Sequence, residues 1–202
     1  MRFILFVACV FILTHTHAKT NPKQFDTTLN QIAEAFKEGI LDYNECERLR
    51  NVTKDLVLDI EREVLQPSKY STADMEELKQ LKKDGDALER FMGVLGNCGH
   101  YYLTIEMFEL ANKRLKGTTQ ALMKNENCLQ VIAYNIAGYQ YLFFENTTEV
   151  QYKITYRWKE IDGFRYGDGS LGILKSSITN IIDNRFNPQS KFFLYDMVCK
   201  ER

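Results

Sequence analysis

The chain has 202 residues, 26 % of them charged, and a formal net charge of −1. That is enough for one globular domain with a real core, and the balance of charge gives no reason to expect nucleic acid or an anionic lipid surface as a partner. Three histidines and five cysteines, none spaced as C-x-x-C, exclude the usual zinc sites.

Met1–Ala18 begins with a single charge at Arg2, continues as an apolar run from Phe3 to Leu13, and ends in Thr14–Ala18 with small residues at Thr16 and Ala18. The run is shorter than the ~18 to 20 apolar residues that cross a bilayer, so it reads as a cleaved signal peptide. The expectation is a secreted, extracellular single domain over 19–202 with formal charge −2, since Arg2 leaves with the leader. Cys9 leaves too. Cys46, Cys98, Cys128 and Cys199 remain, an even set for an oxidising compartment, and two disulfides are expected. Asn51-Val52-Thr53 and Asn146-Thr147-Thr148 are glycosylation sequons, which makes the chain an expected glycoprotein.

Lys19–Phe25 lacks periodicity and reads as a mobile arm. From Asp26, a candidate cap, Leu29, Ile32, Phe36 and Ile40 recur at helical spacing, with Gly39 near the end. A second helix over about Asp42–Leu65 carries Leu49, Val52, Leu56, Ile60 and Val64 on one stripe; Asn51 projects away from its centre and Cys46 lies nearer to it. Pro67 ends this helix, and Ser71 with Asp74 starts a third that runs through Leu78, Leu81, Leu88 and Met92 to Leu95. If these two helices form an antiparallel hairpin, Cys46 and Cys98 lie at the same end. That favours pairing Cys46 with Cys98 and Cys128 with Cys199, with two other connectivities open.

A fourth helix is expected over Tyr101–Leu115, stopping at Gly117, and a fifth over Asn125–Phe144, whose apolar positions nearly encircle it. Val150–Trp158 alternates with period two and reads as a strand, although Val150, Ile154, Trp158 and Ile161 also fit helical spacing; Gly163–Tyr166 is the candidate partner strand. Ser170 is a candidate cap for a sixth helix through Leu174, Ile178 and Ile182, stopped at Asn187-Pro188. The fold expected is mainly α: a disulfide-stapled helical bundle of five or six helices with a short β-hairpin or irregular segment near 148–169.

Little in this pattern carries chemistry. His100 is the one histidine after the leader, and no G-x-S-x-G elbow accompanies it, so a hydrolase using His100 is the least favoured of three readings. Asp162–Ser170 matches neither the calcium loop nor the phosphate loop and reads as a glycine turn before a cap. No metal or cofactor is expected. The concentration of Tyr134, Tyr139, Tyr141, Tyr152, Tyr156 and Trp158 suits a partner-binding patch or a pocket for an apolar ligand, the alternative being a shared aromatic core. The leading expectation is a secreted, non-enzymatic binding protein for an extracellular macromolecule. A carrier of a small hydrophobic ligand in a helical cavity stands second.

Overall fold

The computed structural model describes residues 21–40, 42–96, 102–124, 129–160, 166–180 and 192–202. Among them the chain forms helices α1 (Pro22–Glu38), α2 (Tyr43–Val64) and α3 (Thr72–Leu95), strand β1 (Tyr102–Thr104) and helix α4 (Ile105–Leu115). Seven more strands follow: β2 (Thr118–Lys124), β3 (Gln130–Ile136), β4 (Tyr139–Asn146), β5 (Tyr152–Glu160), β6 (Tyr166–Ile173), β7 (Ser177–Asn180) and β8 (Phe192–Glu201).

Local chemistry sets the helix starts. Asn21 caps α1 by accepting the Lys23 N–H, with Pro22 at the first helical position, so the helix begins where an arm was expected. Asp42 caps α2, and Ser71 forms a reciprocal capping box with Asp74 on α3. Helices α2 and α3 are antiparallel. Cys46 lies against Met92 and Gly96, Arg50 pairs with Glu89 at 2.6 Å, and Val57 sits where a β-carbon on Gly85 would have to go.

Two antiparallel sheets follow the helices. The first has strand order β1-β7-β4-β3-β2 and the second β6-β5-β8. Alternate residues of β3 and β4 point to opposite sides of the first sheet. Ile132, Tyr134, Ile136, Tyr141 and Phe143 join Leu29, Phe36, Phe91 and Phe108 of the helices in one core. Val131, Ala133, Leu142 and Phe144 join Tyr152, Ile154, Tyr156 and Leu194 of the second sheet in another. The result is three layers: helices, a central sheet buried on both faces, and a small outer sheet.

The helical bundle is thereby corrected: the described residues hold four α-helices and two antiparallel sheets. The expected fifth helix is, over its described part, the β3–β4 hairpin, turned by Ala137 at φ 50° and Gly138 at φ 81°. A strand buried on both faces is apolar on successive residues and so imitates the all-round apolar surface of a buried helix. The expected sixth helix is, over its described part, divided between β6 and β7, with Ile182 and Asn187-Pro188 outside the described residues, and the Val150–Trp158 alternation lies in β5. The disulfide staple expected of the bundle is not found among the described residues, where no disulfide joins two of them. Cys46 and Cys199 are in the bonded state, while Cys98 and Cys128, on which both expected pairings depend, lie outside the described residues.

Candidate functional site

The aromatic residues expected to form one surface are divided by the central sheet. Tyr134, fully buried on β3, packs edge-on against Phe91, Phe108 and Phe143, with ring centroids 5.3 to 6.2 Å apart. Its hydroxyl donates to Asn112 Oδ1 at 2.9 Å and accepts the Gly117 N–H; burial pushes its pKa up. Gly117 is required here because a β-carbon on it would lie 2.2 Å from the Tyr134 ring. Tyr139 and Tyr141 belong to the same core. The Tyr141 hydroxyl is buried without a hydrogen-bond partner among the described residues, and burial raises its pKa as well.

Tyr152, Tyr156 and Trp158 lie on the other side of the central sheet, in the second core or packed against it. Burial raises the Tyr156 hydroxyl to about 12. In the register of β5 with β6, Tyr156 faces Gly169 and Trp158 faces Gly167. β-Carbons on those glycines would come 2.4 and 2.9 Å from the two rings. The glycine turn expected at 163–169 is, over its described part, a strand whose glycines make room for aromatic side chains. The signal was present in the sequence as Tyr156-x-Trp158 followed by Gly167-x-Gly169.

The two sequons occupy unlike sites. Asn51 is exposed on α2, beside a groove of about 380 Å³ between α2 and α3 whose walls include Arg50, Lys54, Lys82, Asp86 and Glu89. None of the six aromatic candidates lines this groove. Asn146 is fully buried at the end of β4. Its Nδ2 donates to the carbonyls of Val150 at 2.7 Å and Leu174 at 2.9 Å, while Oδ1 accepts from the Thr148 N–H at 3.0 Å and hydroxyl at 2.8 Å. All of its amide capacity serves the turn.

The outer sheet presents one face to solvent. Tyr152, Ile154 and Tyr156 point inward from β5, and Lys153, Thr155, Arg157 and Lys159 point outward and are exposed. Lys153 faces Lys200 of β8, and Lys159 faces Tyr166 of β6. Arg157 faces Asp168 and pairs with Asp196 at 3.1 Å. Sequence reading missed this face because the net charge is near zero and its cations belong to segments far apart in the chain.

His100, Cys98 and Asp162–Arg165 lie outside the described residues. Burial, and then the charge of Glu109, pushes the Glu145 carboxyl upward. Among the described residues no group of three or more metal-ligating side chains occurs, and no helix is long and apolar enough to cross a membrane. No family model, curated protein or solved structure matches the chain.

Proposed function

We propose that the chain is a secreted, non-enzymatic glycoprotein that binds an extracellular macromolecular partner through the outer face of its three-stranded sheet. The observation that carries this reading is the sidedness of β5: its inward residues complete a core, while its outward residues form an exposed polar face flanked by β6 and β8. The aromatic side chains that sequence reading offered for contact are occupied in the two cores. Contact therefore falls to side chains that stand free of them.

A tagged full-length chain expressed in eukaryotic cells tests both parts. The expected result is tagged protein in the medium beginning at Lys19, with saturable binding to the outside of intact cells. That binding is lost when Thr155→Asp and Ser170→Asp are introduced into the face together. Retention inside the cell overturns export; saturable binding that the double variant leaves unchanged overturns the choice of face.

A further inference from the structure

We propose that the partner is a linear sulfated polysaccharide, held along β5 by a stripe of cations; this rests on the reading above and names the partner class for the same face. Lys153, Arg157 and Lys159 project from one side of β5, and at ~3.3 Å per residue the end-to-end span from Lys153 to Lys159 is about 20 Å. Lys200 lies directly across from Lys153 on β8. On the other side of Lys153 stands Gly172, and a β-carbon there would sit 3.4 Å from the Arg202 guanidinium. Three cations thus converge at one end of the stripe. Like charges set directly opposite each other destabilise a sheet, so this arrangement stores repulsion that an anion relieves.

Among the described residues the acids on the face are Asp168 and Asp196, and both sit beside Arg157. Lys153, Lys159, Lys200 and Arg202 make no ion pair among the described residues; Arg157–Asp196 is the pair formed on this face. The surface is therefore cationic at its two ends, while at its centre one cation sits between two carboxylates. A bilayer or a uniformly charged strand would press phosphates against the two carboxylates. A polysaccharide can set sulfates over the ends and lay a less charged ring across Thr155 and Ser170, which face each other across β5 and β6. Tyr166, 76 % exposed and opposite Lys159, offers a flat ring to a sugar face at the far end.

The test is fluorescence anisotropy of a labelled heparin oligosaccharide with the full chain secreted from eukaryotic cells. Comparators are the same oligosaccharide desulfated, single-stranded DNA of equal charge, and vesicles containing phosphatidylserine. The expected result is binding that weakens as salt is raised, with at least tenfold weaker binding to each comparator. Lys153→Glu should weaken binding at least tenfold. It also replaces a like-charge pair with an opposite-charge pair facing Lys200, so its fold should be at least as stable as the parent's. Lys83→Glu with Lys113→Glu, on exposed helix positions, should leave binding within about twofold. Equal binding of the desulfated oligosaccharide, DNA or vesicles overturns the proposal, as does unchanged binding of Lys153→Glu or no binding at all. Saturable cell binding that survives enzymatic removal of sulfated chains overturns the polysaccharide while leaving the broader reading standing.

Discussion

Replacing Asn146 with aspartate changes one atom of the side-chain head and reverses its chemistry. The Oδ1 side is preserved, with its two hydrogen bonds from Thr148. On the other side an oxygen replaces the amide nitrogen and faces the Val150 and Leu174 carbonyl oxygens at the present 2.7 and 2.9 Å. Two buried acceptors lose their donor, at roughly 1 to 3 kcal/mol each, and a carboxylate is placed where water does not reach. Asn146→Asp should therefore lower stability at pH 7 by about 3 to 5 kcal/mol, a large part of the ~5 to 15 kcal/mol usual for a domain. Burial beside two carbonyls raises the new carboxyl's folded pKa above its unfolded value. The deficit should thus shrink as pH falls toward ~4, because protonation restores one donor. Urea titration followed by the fluorescence of Trp158, the single tryptophan, reads both quantities. A variant within about 1 kcal/mol of the parent at pH 7, or one whose deficit grows on acidification, refutes the reasoning.

The same geometry predicts that protein secreted from eukaryotic cells carries a glycan at Asn51 and none at Asn146, as read by glycopeptide mapping. Tyr141→Phe removes a buried hydroxyl with no partner among the described residues and should raise stability by about 1 kcal/mol in thermal or chemical denaturation. Gly117→Ala forces a methyl group into the Tyr134 ring and should cost about 1 to 3 kcal/mol, with the near-ultraviolet dichroism of the aromatic core diminished. Ala137→Gly relieves a left-handed alanine in the β3–β4 turn and should raise the melting temperature, worth on the order of 1 kcal/mol. In alkali, Tyr134, Tyr141 and Tyr156 hold their protons above the ordinary tyrosine pKa, so their stabilisation is complete below pH ~10 and is lost as pH rises from there. Each should contribute a fall of about 1.4 kcal/mol per pH unit, and Tyr141→Phe should remove one such share from the measured slope.

The helical half was legible because its signals are local. Ser71 caps the helix it was expected to start, the second helix begins at Asp42 where it was expected, and the three- and four-residue spacing of Leu29, Ile32 and Phe36 is a one-sided stripe with one reading. The β half was harder for a physical reason. Residues 130–146 are apolar on both faces of a sheet that is covered on both sides, so the period-two signature of a half-buried strand is erased. Alternation survives on β5, where Tyr152 and Ile154 are buried while Lys153 and Thr155 are exposed, and there the strand could be read. The candidate aromatic site failed to appear as one surface because proximity in sequence placed Tyr141 and Tyr156 on opposite sides of β4's sheet. The cationic face depends on Lys153 meeting Lys200 across 47 positions of chain, a pairing no local pattern announces.

The strands are not laid down in the order in which they pair. The chain enters the central sheet with β1 through β4, leaves it for β5 and β6, returns with β7, and leaves again for β8. During synthesis, β1 must wait for β7, since Tyr102 meets Thr179, and β5 lacks one neighbour until the last ten strand residues emerge. The helical hairpin of α2 and α3 has no such wait. A nascent chain can therefore form its first layer while Tyr152, Ile154 and the inner face of the central sheet stay uncovered, and closure of the molecule waits for β7 and β8.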